Sequence, residues 1–176
     1  MPIKFWKDNN DTKYKDAYFN RFKNIWHHGD YAEVKKTGGF VIYGRSDTTL
    51  NPGGVRLGTA EIYSEVEKLK EIKESIVVGQ SWENDIRIIL FVVMNKKYTL
   101  SKNLLYRIKS EIKKNASPRH VPAKVIVVKD IPRTKSGKIV ELAVKNTIEG
   151  NKIKNKEALA NPEVLDFFKN LKELNY

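Results

Sequence analysis

Apolar and polar positions follow one another along this chain in runs whose period changes, and each period predicts an element. Ile86-Arg-Ile-Ile-Leu-Phe-Val-Val is nearly all apolar, which predicts a central strand covered on both faces. Ile76-Val-Val and Val125-Ile-Val-Val are shorter runs of the same kind and predict two more strands. Elsewhere the spacing lengthens to that of a helix. Ile62, Val66 and Leu69 make one stripe, in a helix capped by Thr59 with Glu61 in its first turn. Leu104, Leu105, Ile108 and Ile112 make a second, opened by Ser101 and stopped before Pro118. Val140 to Ile148 reads as a short helix. Asn161-Pro162-Glu163 opens a last one, with an Asn cap, Pro at the first helical position and an acid in the first turn.

The first 28 residues are patterned differently. Tyr14, Tyr18, Phe22 and Ile25 fall at helical spacing and predict an amphipathic helix near 12–24, while Phe5, Trp6, Phe19 and Trp26 crowd further aromatic area around it. That much aromatic surface needs something large to pack on, so the chain is expected to be cut from a longer protein. Tyr31-Ala-Glu-Val and Phe40-Val-Ile-Tyr flank Lys35-Lys36-Thr37-Gly38-Gly39 as a hairpin. Gly44-Arg45-Ser46-Asp47 and the turn-rich Asn51-Pro52-Gly53-Gly54 follow, the best place for a boundary or hinge. The resulting order, hairpin, turn, α, β, β, α, β, α, describes a small sheet with helices on one side.

Composition changes this picture in four ways. The 176 residues suffice for one domain with a real core, or one domain plus part of another. No apolar run approaches the roughly 20 residues needed to span a bilayer, and the opening Met-Pro-Ile-Lys-Phe-Trp-Lys lacks a signal-peptide core, so a cytoplasmic protein with no membrane partner is expected. The absence of cysteine excludes disulfides, thiolate metal sites and Cys nucleophiles. The net charge of +12 is unevenly placed: residues 96–157 hold 17 Lys/Arg against 5 Asp/Glu, and the remainder 16 against 16. Such an excess attracts a polyanion or a ligand with several phosphates, or else is a solvated lysine-rich surface.

Metal and hydrolase chemistry find no support. His27 and His28 are adjacent, His120 is distant, and no His-Glu-x-x-His, Gly-x-Ser-x-Gly or Walker pattern occurs. What remains is phosphate chemistry without a P-loop. Lys138 follows Gly137 in Thr-Lys-Ser-Gly-Lys, where the chain turns sharply and a mobile ammonium can reach an anion; alone, the stretch is more often a solvated turn. Arg45 and Arg56 flank the glycine turn and suit phosphate oxygens or a structural ion pair, and Asp30 offers two acceptors that suit a vicinal diol.

In order, His28-Gly29-Asp30, Tyr43-Gly44-Arg45-Ser46-Asp47 with Thr49-Leu-Asn-Pro-Gly-Gly-Val-Arg-Leu-Gly-Thr-Ala-Glu-Ile-Tyr63, and Ile131-Pro-Arg-Thr-Lys-Ser-Gly-Lys138 resemble the C-terminal part of the adenylate-forming acyl-CoA synthetases. Ser117-Pro-Arg-His-Val-Pro122, Val140-Glu-Leu-Ala-Val-Lys145 and Asn161-Pro-Glu-Val-Leu-Asp-Phe-Phe168 are most similar to its acetoacetyl-CoA synthetase branch. Pro132 to Lys138 looks closer to acetyl-CoA synthetases, which keeps acetate open as the acid. The resemblance covers essentially the whole chain and implies about a quarter of an enzyme, the large N-terminal domain being absent.

It implies an α/β (α+β) fold: residues 1–46 as the tail of the large domain, with hairpin and hinge, then 47–176 as a small mobile domain with a mixed three-stranded sheet packed with helices. It also implies roles. Asp30 and Arg45 would hold the ribose of ATP, Arg56 its phosphates, and Asp47 would be the hinge. Gly53, Gly54 and Gly58 would line the pantetheine channel, Lys113 with Arg119 would meet the CoA phosphates, and Lys138 would be the catalytic cation of adenylation. ATP with Mg, CoA and a short-chain acid are the expected ligands. A free-standing nucleic-acid module is the alternative class, but the aromatics sit in the neutral segment instead of interleaving with the basic one.

Overall fold

The computed structural model describes residues 2–153 and 155–176; Met1 of the opening segment and Lys154 of the basic stretch lie outside the described residues. Residues up to Asp30 gather into one compact unit and Tyr31–Tyr176 into a second. Among the described residues no helix is long and apolar enough to cross a membrane.

In the first unit α1 spans Thr12–Tyr18, shorter than the pattern predicts. The Tyr18 carbonyl accepts from His27 N–H at 2.7 Å in place of a helical partner, which ends the helix. At its start the Asp8 carboxylate accepts from the backbone of Lys13 and Tyr14 at 3.1 and 2.8 Å. Phe5, Tyr14 and Tyr18 meet edge to face at 5.3–5.9 Å between ring centres, while Ile3 and Trp6 stay exposed.

Strands β1 (Asp30–Val34) and β2 (Phe40–Arg45) form the expected hairpin sheet. The main sheet has the order β3-β4-β5, with β3 (Ile72–Trp82) antiparallel to β4 (Asp85–Met94) and β4 parallel to β5 (Lys124–Val127). Glu83 and Asn84, both at positive φ, make the tight β3–β4 turn whose twist matches the strands. Ser101 caps α3 (Lys102–Asn115) by accepting from Leu104 N–H at 3.1 Å, as the sequence predicts. For α2 (Thr59–Val66) the cap position falls on Gly58 instead, and Thr59 is already helical and buried.

Helices cover both faces of the sheet, not one. The cause is β4, whose run alternates two apolar sets. Ile88, Leu90 and Val92 join Val77 and the stripes of α2 and α3, while Ile89, Phe91 and Val93 join Ile76, Val78, Ile126 and Val144 of α4 (Glu141–Ile148). Each fully buried Leu or Ile contributes about 1.5–3 kcal/mol, so neither face is left open to water. The second face is completed by Pro162–Phe168, where the Phe168 ring meets Phe91 at 4.9 Å. That segment is a run of 3₁₀ turns and not the expected α-helix. Asn161 does not cap it: its side chain accepts from Arg133 N–H at 2.8 Å and donates to the Ile131 carbonyl at 3.0 Å. Leu165 and Phe168 are buried three residues apart, the repeat of a 3₁₀ helix.

Candidate functional site

The predicted residues of the second unit are presented by two loops, the stretch that follows β2, and the end of α3. The glycine loop is pinched at its base, where Leu50 and Leu57 exchange backbone hydrogen bonds of 3.0 and 2.9 Å and are themselves buried. Between them Gly53 and Gly54 both take positive φ, 58° and 75°, a conformation costly for any residue with a Cβ. Both Asp85 carboxylate oxygens accept from Gly53 N–H, at 3.0 and 2.9 Å, which fixes the turn to the start of β4. The Arg119 guanidinium lies over the same turn, its Nη1 3.7 Å from where a Cβ on Gly53 would stand. Gly58 is different: it is buried, and a Cβ there would lie 2.6 Å from Tyr43 Cβ and overlap the Tyr43 carbonyl, so it serves close packing of β2 on the helix. Arg56 is exposed and opens onto a hollow of about 380 Å³ shared with Tyr43, Glu61 and His120. Lys113 stands exposed in the last turn of α3, where the helix dipole favours a cation.

Just after β2 Arg45 pairs with Asp47, Nε to Oδ1 at 3.4 Å, with both side chains about half exposed. The Thr48 and Thr49 hydroxyls donate back to the Arg45 carbonyl at 3.3 and 3.0 Å. Asp47 also borders a small hollow between the edge of β3 and α4, beside Glu141 and Lys145. In the first unit Asp30 pairs with His28, Nδ1 to Oδ2 at 2.6 Å.

Lys138 stands exposed on a hairpin-like loop closed by an Arg133–Ile139 bridge. Thr134 organises the turn: its N–H donates to the Lys138 carbonyl at 2.8 Å, and its Oγ accepts from Lys138 N–H at 3.1 Å. Gly137 takes φ 83° to make the reversal. Arg133 clamps this loop. Its guanidinium donates to the Gly137 carbonyl at 3.1 Å and pairs with Glu74 of β3 at 3.0 Å. Lys135 N–H and the Arg133 carbonyl bond to Ala158 and Ala160, so the loop is tied down on its other side too.

The two loops rest on opposite faces of the sheet. Leu50, Val55 and Leu57 pack with α2 and α3, whereas Ile131, at the root of the lysine loop, packs with Phe91, Val144 and Phe168. Tyr63 links the two sides around the edge of β3. Its hydroxyl donates to Glu141 at 2.6 Å and accepts from Val77 N–H at 3.0 Å. Burial first, and then the Glu141 charge and hydrogen bond, hold the Tyr63 phenol well above the ordinary tyrosine value. Among the described residues no three His, Asp or Glu side chains gather as a metal site.

Comparison with known proteins places this geometry. Residues 61–138 match the model of the AMP-binding enzyme C-terminal domain. This stretch of the chain is similar to such a domain. Acetoacetyl-coenzyme A synthetase of Rhizobium meliloti (strain 1021) is 59% identical over 174 residues, 99% of this chain and 27% of that protein. Acetoacetyl-CoA synthetase of Xenopus tropicalis is 49% identical over 176 residues, 26% of its length. The solved acetoacetyl-CoA synthetase from Streptomyces lividans superposes with a TM-score of 0.89 at 41% identity, over 100% of this chain and 27% of that one. The chain thus spans about a quarter of the length of the relatives it matches.

The matched stretch includes Lys113, Arg119 and Lys138, while Asp30, Arg45, Asp47 and the glycine loop precede it. Four side chains that organise these loops escape sequence reasoning altogether: Asp85, Tyr63, His120 and Glu74. Their partners lie 32, 78 and 59 residues away for the first three, and 59 for Glu74, whose partner is Arg133, so no local pattern reports them.

Proposed function

We propose that this chain works as the C-terminal part of an AMP-forming acetoacetyl-CoA synthetase, which converts acetoacetate, ATP and CoA to acetoacetyl-CoA, AMP and diphosphate in the cytoplasm. Residues 1–46 would complete a large N-terminal domain of the same protein, and 47–176 would be the mobile lid. The observation that carries this reading is the presentation of Lys138 and of Gly53-Gly54 on opposite faces of one sheet. A two-step reaction needs different groups at one centre in turn, and a rigid body carrying one set on each face supplies them by rotation. Identity of 59% to an acetoacetyl-CoA synthetase supports the choice of acid.

In the first step the acid carboxylate attacks the α-phosphate of ATP, and both are anionic. The Lys138 ammonium, mobile on its stem but rooted in a fixed loop, lowers that repulsion and holds an in-line approach. Asp30 and Arg45 take the ribose hydroxyls, and Arg56 takes phosphate oxygens through its planar fork. Magnesium arrives with the ATP phosphates. In the second step the CoA thiol attacks the acyl-adenylate carbonyl. The glycine loop gives the pantetheine arm a path without side chains, and Lys113 with Arg119 meets the phosphates of CoA. Asp47 suits the pivot: its ion pair with Arg45 is half exposed, and breaking such a pair costs about 0–1 kcal/mol.

The test is acid-dependent ATP–pyrophosphate exchange by the enzyme that carries this chain. Acetoacetate is expected to support exchange better than acetate, and the 176 residues alone to support none. A preference for acetate would reassign the substrate. Exchange that no short-chain acid stimulates would remove the reading.

A further inference from the structure

His120 is buried, 5% exposed, in a protein whose other histidines lie in the first unit. Both of its ring nitrogens are engaged. Nδ1 lies 2.8 Å from Ser117 Oγ and Nε2 lies 3.0 Å from Glu61 Oε2. Ser117 Oγ accepts in turn from Arg119 N–H at 3.2 Å, and His120 N–H closes the turn on the Ser117 carbonyl at 3.1 Å. The neutral tautomer with hydrogen on Nε2 satisfies all of these contacts at once: Ser117 donates to Nδ1, and Nε2–H donates to Glu61.

The position of this relay gives it a consequence beyond stability. Glu61 lies in the first turn of α2, three residues after Gly58, at the far end of the glycine loop. Arg119, the neighbour of His120, lies over Gly53 in the middle of that loop. The Pro118–His120 turn is therefore bound to the loop's exit through His120 and Glu61, while Asp85 holds the loop from the other side through Gly53 N–H. A buried ring with both nitrogens engaged fixes the separation of two surface segments more firmly than a pair exposed at both ends, although the Glu61 carboxylate itself is 36% exposed.

We propose that His120 is a positioning residue for thioester formation: it holds the turn bearing Arg119 against the glycine loop and so sets the rim that receives the phosphates of CoA. It touches neither CoA nor the reacting atoms. The inference rests on the synthetase reading above, and it weighs on the second half-reaction more than the first: His120 braces the glycine-loop side, the lysine loop is rooted in the opposite core, and the first step meets His120 only indirectly, through Arg56 in the shared hollow and through α2 and Tyr63.

The experiment uses His120→Ala and His120→Gln in the whole synthetase, with three readouts: ATP–pyrophosphate exchange, thioester formation from preformed acyl-adenylate over a range of CoA concentrations, and the melting temperature. Displacing a charged contact by about an ångström costs up to roughly 100-fold, so His120→Ala is expected to raise the KM for CoA about 10- to 100-fold while exchange stays within about 3-fold. Gln places an amide N–H near the old Nε2 and is expected to recover most of the loss. Equal loss of both half-reactions would show that His120 only stabilises the fold and would overturn the proposal, as would an unchanged KM for CoA. If the unsubstituted enzyme catalyses neither half-reaction, it is the synthetase reading that fails.

Discussion

Replacing Tyr63 by Phe removes one oxygen and two hydrogen bonds while leaving the ring in place. The hydroxyl accepts from Val77 N–H at 3.0 Å on the outer edge of β3, and donates to Glu141 at 2.6 Å at the start of α4. The two losses differ in weight. Val77 is fully buried, so its N–H is left without an acceptor, at about 1–3 kcal/mol. Glu141 is only partly buried and recovers water, so its loss is nearer 0.5–1.5 kcal/mol. The sum is about 1.5–4.5 kcal/mol. For a protein of this size 1 kcal/mol moves the melting temperature by roughly 2–4 °C, so Tyr63→Phe is expected to melt about 3–18 °C lower near neutral pH, followed by circular dichroism. A shift under about 2 °C would refute the argument that this hydroxyl is the acceptor on which the edge of β3 depends.

The same residue predicts an alkaline limit. In the unfolded chain Tyr63 ionises near 10, whereas in the fold its value is raised, so the fold binds the proton more tightly. That contribution is complete below pH about 10 and is lost as pH rises towards the folded value; denaturant melts across this range are expected to show a steeper loss in wild type than in Tyr63→Phe. Arg133→Ala is expected to slow ATP–pyrophosphate exchange about 10- to 100-fold and to spare thioester formation, since the guanidinium holds the lysine loop to Glu74 and to the Gly137 carbonyl, away from the glycine loop. Its stability cost is small, about 1 kcal/mol, because the pair with Glu74 is partly exposed, and calorimetry will separate the two effects. Loss of both half-reactions together would contradict the clamp.

Local signals were readable from the sequence wherever the physics is local. Ser101 announces α3 because a hydroxyl caps the N–H groups that follow it, and the apolar run of β4 announces a central strand because both faces are buried. That same run already implied two layers of helices, and the one-sided arrangement failed by not following it through. Asn161 misled because its side chain answers Arg133 and Ile131 across a long loop, a demand that no neighbour in sequence records. The ordered motifs around Asp47, Gly53-Gly54 and Lys138 marked the two loops, but what braces them was hidden. No neighbour in sequence announces the Glu74 that pairs with Arg133, or the Glu61 that meets His120.

The central claim is that one small domain serves two chemical steps with two separate faces, and Lys138→Ala in the whole synthetase tests it most directly. Both half-reactions are to be measured on one preparation: exchange of pyrophosphate into ATP with the acid present, and thioester formation from preformed acyl-adenylate and CoA. The account predicts that exchange falls by about 1000-fold or more, as removal of a cation from a developing charge costs, while thioester formation stays within about 3-fold of wild type. Parallel loss of the two, or exchange that survives the substitution, would contradict it.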